Sequence, residues 1–439
     1  MPVSYRDGSA AFLTRRLAST LALSAGVALC AAAARTPNAQ RATGVIRTAP
    51  WPYLPGTLLS LNVAGFAPPY DGAVLGEGSV LPGGMYAIPS HAAPGRPLLV
   101  AGNATGLAAK RIEIAPPPQR GSVLIVASYD QGLIFHDGRH FGVLGVLGTG
   151  GTPSDVAALD GRVAATDTQG NALTLVRRSP WDVARVQGVA VGDEVAFDQT
   201  SGDVFVTDRD VDGSGALTRL KPDGSVARVS TGATAEGLAI DPRRQIVYVA
   251  NVNDGTVAAV EARTMRVVRR FRAVDRVFSL ALSPDGTLLY AVSNQSADSP
   301  FAAPGSVVAL SLRTRVPKIV ARSAPLTFPL GIALDARRER LYVTDESLGE
   351  IEVLDARTLR PAHAPIRTCA IPWKPSFDPT SERLYVPCAG ADAVDVVRAG
   401  SLRRVAGAPF RTGSYPLAVA IWHSPGKIVR RRELQRAAR

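Results

Sequence analysis

The segment Gly237–Phe271, GLAIDPRRQIVYVANVNDGTVAAVEARTMRVVRRF, reads as four short strands separated by three turns. GLAI is small and apolar, and Asp241-Pro242 punctuates the turn after it. IVYVAN is β-branched and aromatic, NVNDG carries an Asx–Gly hairpin signal, and TVAAVEA and VVRRF supply the last two strands. Four strands of this length cannot bury both faces alone, so the segment demands neighbours of its own kind.

The neighbours are in the sequence. The turn acid recurs as Asp160, Asp198, Asp241, Asp335 and Asp378, with Ser283 in the fourth place, at steps of 38, 43, 42, 52 and 43 residues. The long step holds an insertion, NQSADSPFAAPGS (294–306). Second strands end at Asp167, Asp208, Asn251, Asn294, Asp345 and Cys388. Six full repeats run from Pro153 to Val405. Before them stand three strands, VLIVAS (123–128), GLIFHD (132–137) and GVLGVL (142–147); after them stands one of the innermost type, LAVAIW (417–422). Three plus one completes a seventh unit, so residues 121–422 are expected to form an all-β, seven-bladed β-propeller in which 417–422 joins 123–147. Closing a ring in this way removes exposed sheet edges.

The stretches IVYVANVNDGTV, RLYVTDESLGEI and RLYVPCAGADAV resemble the YVTN-type propeller repeat. No Gly-His…Trp-Asp signature, kelch Gly-Gly pair or tryptophan-docking repeat is present. YVTN propellers are functionally diverse, so the resemblance implies a fold more than a reaction. Ahead of the ring, residues 41–118 contain strand-like pieces at 57–65, 85–89, 97–104 and 110–116, which read as a small antiparallel sandwich. Here Gly78-Ser79-Val80, Gly84, Tyr86 and Pro89 resemble the pattern of bacterial immunoglobulin-like domains. Pro116–Pro118 reads as a stiff linker.

Residues 1–34 read as a cleaved export signal: Arg15-Arg16, then the uncharged run Leu17–Ala34, with small residues for cleavage near Ala34. The twin-arginine pattern is only partly matched. Leu29 before Cys30 argues against a lipoprotein, and an uncleaved anchor is the other alternative. The mature chain would then be periplasmic or secreted, with no transmembrane span, and monomeric. Of the formal charge of +12, the leader carries +2 and the tail from His423 carries +5, leaving +5 on the body. A basic tail (423–439) suits either a solvated end or an acidic polymer.

Candidate chemistry collects where the innermost strands begin. Asp155, Asp193 with Glu194, and Glu236 precede the innermost strands of three consecutive repeats; the next three carry Phe278, Leu330 and Trp373. The expected channel mouth is acidic on one side and apolar on the other. Three carboxylates there suit Ca²⁺ or another divalent cation, or an acid/base pair raised by mutual repulsion. They equally suit turn caps and arginine partners. The layout is similar to the gluconolactonase and senescence-marker propellers, which implies a metal at the mouth, although their full ligand set has no match here.

Asp208-Arg209-Asp210-Val211-Asp212-Gly213 is a DxDxDG run, a second calcium candidate, but it lacks a distal Glu and reads better as a solvated hairpin. Cys369 and Cys388 fall on one face of one repeat, so a disulfide is expected, with free thiols as the alternative. His136 and His140 flank a turn without a third ligand. LGTGGTPSD (147–155) lacks the Lys-Ser/Thr of a phosphate loop, and no Gly-x-Ser-x-Gly occurs. The reading is a non-enzymatic binding scaffold of the cell envelope whose partner is a protein or polymer. The alternatives are a metal-dependent, lactonase-like hydrolase at the channel mouth using Asp155, Asp193 and Glu236, and nucleic-acid binding through the basic surface, for which no aromatic interleaving speaks. No cofactor is required by the first reading.

Overall fold

A computed structural model describes residues 42–60, 62–64, 72–74, 79–81, 85–103, 106–169, 172–189, 191–209, 212–295 and 304–423. The leader, Asp210, most of the insertion after Asn294 and the basic tail lie outside these residues. The chain divides into two units at Pro116/Pro117.

Among its described residues the first unit carries three small sheets. Ala42–Thr43, Gly106–Arg111, Leu98–Asn103 and Gly72–Val74 form one; Leu58–Ser60, Met85–Ala87 and Ser79–Leu81 form another; Val45–Arg47 pairs with Asn62–Ala64. The strand expected over 110–116 instead spans Gly106–Arg111, in a hairpin with Leu98–Asn103. Its small residues Gly106, Ala108 and Ala109 allow that pairing, while Ile112 and Ile114 beyond it are buried as core.

The second unit is a ring of seven blades, each a four-stranded antiparallel meander at its heart. Blade 1 unites both ends of the unit: Val143–Leu147, Gly132–Asp137, Val123–Ser128 and, innermost, Pro416–Trp422. Blade 2 holds Val156–Leu159 to Trp181–Gln187, blade 3 Val191–Phe197 to Val226–Ala233, and blade 4 Ala235–Asp241 to Arg266–Arg272. Blade 5 holds Val277–Leu282 to Lys318–Arg322, blade 6 Pro329–Asp335 to Ile366–Arg367, and blade 7 Ser376–Asp378 to Arg403–Arg404, with Phe410–Arg411 also pairing on Ala393–Arg398.

The core lies between blades. Between blades 4 and 5, Tyr248, Ala250, Val257, Ala259 and Phe271 pack on Val277, Leu280, Leu289, Ala291 and Val308. Equivalent clusters separate blades 3 and 4, 5 and 6, and 6 and 7. Middle strands buried on both faces explain why IVYVAN and RLYVTD are near-continuous apolar runs. The turn acids Asp198, Asp241, Asp335 and Asp378 are Asx caps: Asp241 Oδ1, for one, accepts the Arg243 and Arg244 amides, both at 3.0 Å.

Two devices close the ring. A register shift of one residue interrupts the innermost strands of blades 3, 4, 5 and 6 near their starts. A bulge frees a backbone N–H that burial requires to be paired. In blades 3 and 6 a threonine hydroxyl does this: Thr207 Oγ1 accepts from Glu194 N at 3.0 Å and Thr344 Oγ1 from Gly331 N at 3.1 Å. Each hydroxyl then donates to the next blade, Thr207 to Glu236 O and Thr344 to Trp373 O. At the seam, the buried Arg178 of blade 2 donates to Pro118 O at 3.0 Å, Gly121 O at 2.7 Å and His423 O at 3.2 Å. Its guanidinium also lies 5.0 Å from the Trp422 ring centre.

Candidate channel-mouth site

Asp193, Glu194 and Glu236 stand within the bulges of blades 3 and 4, and Glu194 lines the axial cavity together with Asp155 of blade 2. Asp155, Asp193 and Glu236 are 8%, 7% and 9% exposed. Asp155 spends both oxygens on backbone: Oδ1 accepts Val156 N at 2.9 Å and Oδ2 accepts Val195 N of blade 3 at 3.0 Å. Glu194 repeats this one blade on, its Oε2 accepting Leu238 N of blade 4.

The other side of the mouth corrects the expectation of an apolar wall. Lys374 of blade 7 reaches across the axis, and its Nζ sits 3.1 Å from Glu194 Oε1, both side chains 14% exposed. Burial works against the ammonium, but the carboxylates of Glu194, Asp155, Glu236 and Asp193 outweigh it and hold its pKa above the ordinary lysine value. Burial pushes the Asp155 carboxyl up to about 6; Lys374 pulls it down and Glu194 adds to the rise.

Asp155, Asp193, Glu236, Phe278, Leu330 and Trp373 all lie five residues before a turn position, and Lys374 does not. One residue further on stand Glu194, Gly237, Ser279, Gly331 and Lys374, so the opposite charges occupy the same repeat position in blades 3 and 7. The intervening glycines are required by close approach. A Cβ on Gly331 would lie 2.5 Å from Pro375 Cδ, and Gly237 has as little room against Phe278 O.

Two of the four acids have no oxygen left over for a divalent cation. Asp155 and Glu194 already direct both oxygens at donors, and a buried ammonium occupies the space a cation would need. Among the described residues no group of three or more His, Cys, Asp or Glu is placed to hold a metal. Below the mouth the channel keeps a cavity of about 200 Å³, lined from every blade and including Leu238, Leu280, Ile332 and Val419. That is smaller than the usual span for small-molecule sites, roughly 300–1,000 Å³.

The remaining candidates separate. Asp208 is fully buried and its carboxylate is engaged by Thr218 and, at 2.7 Å, by Arg228 Nη2; Asp212 is exposed and caps Ser214 N at 2.9 Å; Asp210 lies outside the described residues. Asp208 is thus an arginine-paired carboxylate in the interior and Asp212 a turn cap at the surface. Cys369 and Cys388 are joined as a disulfide with a Cα–Cα distance of 5.7 Å, linking the approach to blade 7 with the end of its second strand. His136 is buried between Phe141 O at 3.0 Å and Thr412 Oγ1 at 2.9 Å, and burial lowers its pKa to about 4, so it is a neutral packing group.

No protein-family model matches the chain. No curated protein matches it either. Solved structures do. A functionally unknown protein of Desulfotomaculum acetoxidans aligns at 15% identity with TM-score 0.55, covering 70% of this chain and 100% of its own. A candidate 6-phosphogluconolactonase of Bacteroides uniformis aligns at 13% and 0.55 over 70% of this chain and 100% of its own. A periplasmic gluconolactonase of Pseudomonas aeruginosa aligns at 16% and 0.55 over 69% of this chain and 99% of its own. At these identities the likeness is one of fold: the chain shares the seven-bladed β-propeller of these proteins.

Proposed function

We propose that the protein is an exported binding scaffold of the cell envelope, periplasmic or secreted, in which a YVTN-type ring follows an immunoglobulin-like domain. The observation that carries this reading is the Lys374–Glu194 pair across the mouth, at 3.1 Å. It occupies the place where a ring of this kind would seat substrate, and with Asp155 it satisfies the mouth's charges internally. Such a mouth braces blades 2, 3, 4 and 7 against one another, leaving surface loops and rims to meet a partner. Affinity capture from envelope extract with the full-length protein tests it. Saturable recovery of a protein or polymer supports the reading; its failure together with lactone turnover overturns it.

One observation favours the hydrolase alternative. Asp155, with its carboxyl raised to about 6, borders the cavity and is poised for proton transfer near neutral pH. Lactone hydrolysis lost in Asp155→Asn protein of unchanged stability would establish that alternative. A one-to-one heat of Ca²⁺ or Mn²⁺ binding in calorimetry would restore the metal.

A further inference from the structure

A second open cleft lies away from the axis. It lies between blades 4 and 5, on the face where innermost strands begin, and has a volume of about 460 Å³. Its polar lining comes from Arg272, Asp275, Gln295, Ser306 and Arg322, and Pro304 and Pro325 add flat apolar surface. Arg322 Nη1 donates to Ser306 Oγ at 2.9 Å, which fixes the guanidinium at the cleft wall. Arg272 is paired with Asp275.

The cleft continues into two rows of cations. On the outermost strand of blade 4, Arg266, Val268, Arg270 and Arg272 are exposed at alternate positions. On that of blade 5, Lys318, Val320 and Arg322 repeat the arrangement, with Arg313 and Arg315 exposed just before. Arg269 Nη1 donates to Arg315 O at 2.9 Å and so ties the rows together. Among the described residues, the one ion pair on these two rows is Arg272 with Asp275. Both strands are sheet edges, and charge on an edge guards against strand addition. That need is met by one or two cations, and here Arg266, Arg270, Arg272, Lys318 and Arg322 are all exposed on the two strands.

We propose that the cleft between blades 4 and 5 binds an acidic sugar unit of an anionic polysaccharide whose chain runs along these arginine and lysine rows. The proposal rests on the binding-scaffold reading and names its partner class. A mixed lining of guanidinium, carboxylate, amide and hydroxyl suits a ligand that presents both hydroxyls and a carboxylate. The arginine fork pairs with that carboxylate in two parallel hydrogen bonds. Nucleic acid fits less well: single strands are held by exposed aromatic platforms, and Phe271, the aromatic of these rows, is buried.

The test is calorimetric titration of the full-length protein with oligogalacturonate, with neutral dextran, single-stranded DNA and phosphatidylglycerol vesicles in parallel. Saturable binding to oligogalacturonate is expected, weakening with salt. Arg322→Ala should weaken it roughly tenfold, as for loss of a charge-assisted hydrogen bond. Arg403→Ala, on the blade 7 rim, should leave it unchanged. Absence of saturable binding, equal loss in both variants, or preference for DNA or vesicles overturns the proposal. If the partner captured from envelope extract is retained equally by Arg322→Ala protein, the scaffold reading stands and the cleft is not its seat.

Discussion

The channel mouth and the outer rim of blades 4 and 5 are both rich in charge, and they treat it oppositely. At the mouth, Lys374, Glu194 and Asp155 are buried and each is matched by an ion or a backbone amide. At the rim, Arg266, Arg270 and Lys318 stand in solvent. Charge withdrawn from water has to be answered by nearby groups, so the mouth spends its charges on itself. Charge left in water costs little and remains available to a partner. Mouth substitutions should therefore change stability, and rim substitutions should change binding alone.

The largest effect that would sharpen this contrast is expected from Lys374→Met. It leaves Glu194 buried without its cation, a loss of about 3–5 kcal/mol in urea unfolding. Adding Glu194→Gln should return a large part of it; a fully additive double mutant would break the account. Reduction of Cys369–Cys388, whose partners are 19 residues apart, should cost about 2–4 kcal/mol. Intact mass should differ by about 2 Da with and without reductant, as two hydrogens require, and equal masses would remove the bridge.

The pH dependence comes next. The folded pKa of Asp155, about 6, lies above the ordinary carboxylate value. The folded state therefore binds the proton more tightly than the unfolded state does. The stability this contributes is complete below about pH 4 and is lost as pH rises through 6, on the order of 2–3 kcal/mol. Asp155→Asn should flatten that slope; an unchanged slope would assign it elsewhere. Thr207→Val should cost about 1 kcal/mol by leaving Glu194 N unpaired inside its bulge. Smallest of all, Arg270→Ala should stay within about 0.5 kcal/mol of the parent, as an exposed substitution does.

The all-β ring and its seven blades were legible because most repeats carry a turn acid, a β-branched middle strand and an Asx-ended hairpin, which are local signals. Asp241 and Asp335 announce their turns by position alone. Asp208 was legible as an oxygen donor but not as the partner of Arg228, since that pairing depends on a fold-back across two strands. Lys374 was hidden for a similar reason. Its meaning lies in reaching Glu194 four repeats earlier in the chain, across an axis, and no run of neighbouring residues contains both. The bulges were invisible as well, although the threonines that fill them, Thr207 and Thr344, stand beside the second-strand acids in VTD.

Arg178 gathers the carbonyls of Pro118, Gly121 and His423 into one grip, and blade 1 pairs Val123–Ser128 with Pro416–Trp422. The consequence concerns time rather than shape. The strand needed to finish the first blade is synthesised only after the other six blades, so the ring stays open, with an unpaired edge at Val123–Ser128, until that strand emerges. A copy that stops short of Pro416 would carry six finished blades and a gap. Its readiest remedy is the corresponding strand of another copy.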